Sequence, residues 1–96
     1  MTELVCSAEF RAKAGMAEQL LGELKKLVEH TRQEPGCLRY ELHQCLEQDD
    51  LFYFVERFKD KAAFELHGTM PYVLSFRTDV APRLVEEARI RTYKEV

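Results

Sequence analysis

Residues 34–58 read EPGCLRYELHQCLEQDDLFYFVERF, and their alternation decides the fold. Pro35-Gly36 is a strong turn signal. Two runs of alternating character follow, Cys37 to Leu46 and Leu51 to Phe58, separated by the polar Glu47-Gln48-Asp49-Asp50. That pattern predicts a β-hairpin of two long antiparallel strands. Leu38, Tyr40 and Leu42 share one face of the first strand. Phe52, Phe54, Glu56 and Phe58 share one face of the second. Glu56 is a carboxylate in an apolar stripe, and a charge on a buried face must be paired, hydrogen-bonded or functional.

Outward from the hairpin, Leu4 to Phe10 alternates, with Leu4, Cys6, Ala8 and Phe10 on the apolar side. Met16 to about Gln33 changes to a helical period, with Leu20, Leu24, Leu27 and Thr31 on one face and Pro35-Gly36 closing it. Gly22 falls inside this helix, either at a solvent-side position or at a close approach. Asp60 is an N-cap candidate for a short helix that ends at His67-Gly68. Pro71 suits the first turn of another helix, running to about Val80 and broken by Pro82. Glu86 to Tyr93 is the last strand, with Ala88, Ile90 and Thr92 on one side.

The order β-α-β-β-α-β, with the second helix broken at Gly68–Pro71, is the ferredoxin-like split βαβ arrangement. It is an α+β fold in which helices cover one face of a four-stranded antiparallel sheet. The other face mixes Val5, Glu9, Arg39, Glu41, His43, Tyr53, Val55, Arg57, Arg89 and Tyr93. This is too aromatic to be plainly wet and too charged for a core, so two sheets are expected to pack face to face in a homodimer. On that face His43 reads as an interface residue.

The 96 residues fit one small domain, 1–96, and a composition 46% hydrophobic and 32% charged is that of a globular chain. The net charge of −3, without a basic run, argues against nucleic acid. No apolar run is long enough for a membrane span, and Thr2-Glu3 after Met1 does not open a signal peptide, so a cytoplasmic protein is expected. The odd count of 3 cysteines argues against a disulfide framework. Cys6 reads as core filler. Cys37 and Cys45, placed on one face of a single strand, lie too far apart to bond. Nothing in the spacing of His30, His43 and His67 supports a metal site, and the lack of a glycine-rich phosphate loop argues against nucleotide and flavin cofactors.

The segment E-x-G-C-x-x-Y, from Glu34 to Tyr40, combines with D-x-x-A-x-x-x-H-x-x-x-P, from Asp60 to Pro71. Either alone is weak and the pair is specific. Joined by a strand carrying Glu56 and followed by Phe76, they resemble the antibiotic biosynthesis monooxygenase-like family of dimeric α+β barrels, over essentially the whole chain. The resemblance implies a homodimer with a pocket in each subunit between sheet and helices, and oxygenation of quinol-like or polyketide-like phenols by O2 with no cofactor. It equally admits a non-oxidative isomerase or a ligand-binding dimer without turnover. The haem-degrading branch carries an asparagine, an aromatic and a histidine where this chain has Ala8, His67 and Arg77, which argues against haem degradation. Ala8 also replaces the asparagine of the quinone-forming oxygenases, so their mechanism does not carry over as it stands.

Oxygenation without metal or flavin needs a base, donors for developing oxyanions and a dry pocket. His67 is the expected base, its alternative being a helix-terminal residue bonding free carbonyls. Glu56 would orient His67 or act as the base itself, against the alternative of pairing with a buried arginine or tyrosine. Tyr40 and Tyr72 would donate to an anionic oxygen. Arg77 would meet a substrate anion or solvent. Phe52, Phe54, Phe58 and Phe76 would line an aromatic pocket, although at least two of them belong to the core.

Overall fold

The computed structural model describes residues 2–96. Strand β1 (Leu4–Ala12) is followed by helix α1 (Ala17–Thr31), the hairpin strands β2 (Cys37–Gln44) and β3 (Leu51–Phe58), and helix α2 (Lys61–His67). Helix α3 (Pro71–Ser75) runs through a π-helical turn (Phe76–Val80) into α4 (Ala81–Leu84), and strand β4 (Val85–Tyr93) ends the fold. The sheet has four strands in the order β2-β3-β1-β4, each neighbouring pair antiparallel. This is the expected ferredoxin-like α+β arrangement.

The register follows from burying one face. Ala8 pairs with Phe54 and Phe10 with Phe52 across β1 and β3, while Leu42 pairs with Phe54 across the hairpin. Helix α1 covers this face with Leu20, Leu24, Leu27 and Thr31. Removing each of those leucines from water contributes roughly 2 kcal/mol. Phe10 meets Phe54 and Phe76 edge-on, with ring centroids 6.1 and 5.5 Å apart, the arrangement aromatic quadrupoles favour. Gly22 is exposed, and a side chain there would meet open space.

Four local features depart from the sequence reading. The pairing register shifts between Cys37 and Arg39. This β-bulge turns Leu38 outward, leaving it 52% exposed, and packs Cys37 against the core instead. It also breaks the alternation that placed Cys37 and Cys45 on one face. Second, Pro82 does not stop the helix. The Ala81 N–H reaches back five residues to the Phe76 carbonyl, and Pro82 then occupies the opening turn of α4, where a missing N–H costs nothing. Third, Ala88 and Ile90 lie on the helix side of β4 but are exposed, because the helices reach only partly over that edge strand. β1 also runs two residues further than expected, Ala12 pairing with Val85 beyond a second irregularity.

The loop before β2 is held by α2. Asp60 caps that helix through its carboxylate, which accepts from the Ala63 N–H at 2.8 Å. Gly36 lies so close to Ala63 that a Cβ on it would fall 2.5 Å from the Ala63 Cβ. Lys59 N–H donates to the Gly36 carbonyl at 2.9 Å. The segments 34–40 and 60–71 are therefore one structural unit.

Candidate functional site

A cavity of about 330 Å³ lies between the sheet and the broken helix. It exists because the sheet residues beneath it are small: Cys6 and Ala8 on β1 and Ala88 on β4 line it. Phe54, Phe76 and Val73 supply aromatic and aliphatic walls. Tyr40, Glu56 and His67, all buried, form the polar inner end, and the exposed Glu65, Arg77 and Ile90 stand at the mouth.

Glu56 sits mid-strand on β3, opposite Cys6 of β1 and Tyr40 of β2. It is 4% exposed and forms no ion pair among the described residues. Burial pushes its carboxyl up to about 8, against the opposing effect of the Cys6 thiol and with the help of the Glu34 charge. The thiol in turn is pushed up to about 12 by burial and then by Glu56. Burial and the Glu56 charge likewise push the Tyr40 phenol above its ordinary range.

His67 ends α2 with its ring turned inward, tilted 5.1 Å from Phe58 and 5.7 Å from Tyr40. Its Nδ1 lies 2.9 Å from Glu34 Oε2. The same oxygen accepts the Tyr72 hydroxyl, and burial and that bond push the Tyr72 phenol upward. The Tyr72 ring stacks on His30 at 4.8 Å. With the carboxylate as acceptor, Nδ1 carries the proton and Nε2 is left free of Glu34. The Thr31 hydroxyl is buried beside this group. Its geometry falls short of a hydrogen bond, although the Tyr40 and Tyr72 phenols both feel its dipole.

Of the expected residues, Tyr40, Phe54, Glu56, His67, Phe76 and Arg77 meet at the cavity. Phe52 and Phe58 are fully buried in the core instead. Tyr72 stands behind His67, bonded to Glu34 rather than lining the cavity. The carboxylate that orients His67 is Glu34, not Glu56. Glu34 had read as part of a turn, and its one signal was its place in the E-x-G-C-x-x-Y segment. Among the described residues no three His, Cys, Asp or Glu side chains converge as a metal cage would need. His43 is exposed on the opposite sheet face, 3.2 Å from Glu41. No helix of the described residues is long and apolar enough to cross a membrane.

This constellation sits in a familiar frame. The antibiotic biosynthesis monooxygenase family matches residues 4–79, and the chain belongs to that family. The solved structure of SO0527 from Shewanella oneidensis is 37% identical and superposes with a TM-score of 0.96, covering 98% of this chain and 91% of its own. YcnE of Bacillus subtilis, provisionally named a monooxygenase, is 30% identical over 73 residues, 76% of this chain and 77% of its own. An uncharacterized Synechocystis protein, sll1783, is 28% identical over 91 residues, 95% of this chain, and the chain spans 62% of that relative's length.

Proposed function

We propose that the chain is a monooxygenase that inserts oxygen from O2 into a small phenolic or quinol substrate without a cofactor. The observation that carries this reading is the Glu34–His67 pair at the inner end of an apolar cavity. In this reading the pair presents an imidazole nitrogen, Nε2, where a phenol hydroxyl would lie.

In this reading His67 Nε2 removes the phenol proton. The phenolate gives one electron to O2, and the resulting radical and superoxide join at a ring carbon. The imidazolium returns its proton to the peroxide. The O–O bond then breaks as the ring C–H proton departs, releasing water and leaving one oxygen on the ring. A hydroquinone plus O2 thus gives a hydroxyquinone plus water, with four electrons drawn from the substrate. Tyr40 and Glu56 stand where they would hold the developing oxyanion, and Phe54 and Phe76 where they would hold the ring and exclude water. Arg77, at the mouth, would meet a substrate anion.

The test is oxygen consumption with a panel of hydroquinones and polycyclic phenols, autoxidation subtracted, with ¹⁸O2 as label. One O2 consumed per quinol, and one labelled atom in the product, is the expected result. Consumption no faster than autoxidation across the panel would sink the reading.

We further propose that two chains pair through the open sheet face. Tyr53 and Tyr93 are exposed there and Val5 and Val55 only half-buried, an apolar patch that a second sheet would cover. Light scattering should give twice the chain mass; a single chain mass at micromolar concentration would refute the pairing.

A further inference from the structure

Glu56 has a feature that base catalysis does not use. A carboxyl removed from water is held either as an anion by a cation or as a neutral acid. Among the described residues Arg77 is the only lysine or arginine lining the cavity, and it stands at the exposed mouth. The groups facing Glu56 are Cys6 from β1, Tyr40 and Cys37 from β2, Glu34 from the loop before β2 and His67 from α2. His67 is already turned to Glu34. The carboxyl therefore rests as the acid, in accord with the upward push that burial gives it. Among the described residues the side chain nearest to partnering it is the Cys6 thiol, whose own S–H is turned to the Ser7 carbonyl, and sulfur is a weak acceptor. An acid O–H at the inner end of an apolar cavity thus lacks a good acceptor.

We infer that Glu56 sets the specificity of this cavity by donating a hydrogen bond to a carbonyl oxygen of the ligand, so that the site selects aromatic ketones and quinone-type rings over hydrocarbons of the same shape. A ligand that satisfies both polar groups places a carbonyl at Glu56 and a hydroxyl at His67 Nε2. The inference rests on the cavity being the ligand site of the proposed function, and not on the oxidation itself.

The probes are 1-tetralone and tetralin, which share a two-ring frame and differ by one carbonyl. Neither titrates in the working range. Their dissociation constants are measured by calorimetry from pH 6 to 9.5, and the ratio of the two is read. A change that weakens both ligands alike cancels in that ratio, and a pH effect that reaches the carbonyl through another group would persist in Glu56→Gln. At pH 6 tetralone should bind roughly fivefold tighter than tetralin, the effect of one neutral hydrogen bond. The preference should vanish as the pH passes about 8, where Glu56 loses its proton. Glu56→Gln, whose amide N–H still donates, should keep the preference at every pH, and Glu56→Leu should lack it throughout. A wild-type ratio blind to pH, identical ratios in wild type and Glu56→Leu, or no binding of either compound would overturn the inference. Oxygen uptake with a pH-blind ratio would overturn it alone. Tetralone binding with the expected pH profile, but no oxygen uptake from any quinol, would overturn the monooxygenase reading alone.

Discussion

His67→Ala should lower quinol-dependent oxygen uptake by about 10²- to 10⁴-fold, the range a positioned general base contributes. Glu34→Gln should lose less, roughly tenfold to a hundredfold, and in kcat rather than KM, because Glu34 touches the base and not the cavity. Its amide can offer the imidazole an N–H as readily as a carbonyl, so the ring loses its reason to hold the proton on Nδ1. The ¹⁵N shifts of His67 then report the change directly: a dominant Nδ1–H tautomer in wild type and a mixture in Glu34→Gln. A Glu34→Gln enzyme with full kcat and an unchanged tautomer would show that the pair is only structural. Circular dichroism is needed beside these assays, since removing His67 leaves Glu34 buried with one partner fewer.

Glu56 should make the fold less stable as the pH rises. Its carboxyl lies near 8 in the folded chain against 4.5 in the unfolded one. Below pH 4.5 both states hold the proton and nothing is lost. Between 4.5 and 8 the unfolded state releases a proton that the native state keeps, so unfolding gains ground by up to about 1.4 kcal/mol per pH unit. Across the window the cost is on the order of 4 kcal/mol. Glu56→Gln removes the titration. It should match wild type near pH 5 and melt on the order of 15 °C higher at pH 8. Thermal melts at pH 5, 6.5 and 8 check this, and parallel wild-type and mutant curves would mean that Glu56 is ionised and satisfied in the native state.

The hairpin, the element order and the facing of Glu56 were legible because a strand's period of two sorts side chains without reference to anything distant. His67 was legible for a similar reason, as a titratable residue at a helix end beside Gly68. Glu34 was not. Beside Pro35-Gly36 it has the look of a helix terminator, and its burial depends on α2 folding back over Gly36, a contact between residues 27 apart in the chain. The bulge at Leu38 carries no glycine or proline to announce it. The cavity was only half legible. Four phenylalanines suggested one, but which of them line it depends on the small side chains of Cys6, Ala8 and Ala88 beneath. The continuation past Pro82 did leave a trace, since Phe76, Val80 and Leu84 keep a four-residue spacing through it.

The wide turn from Phe76 to Val80 lets the chain change length locally. A π-turn is an α-helix with one residue too many, and the surplus stays inside the turn instead of rotating everything beyond it by roughly 100°. Phe76 on one side and Leu84 on the other therefore both remain buried. Deleting the exposed Thr78 would return the segment to ordinary α-helix with both ends still seated. What would move is Arg77, together with the shape of the cavity mouth. At this place a single-residue insertion or deletion would re-aim the cavity mouth while the core keeps its packing.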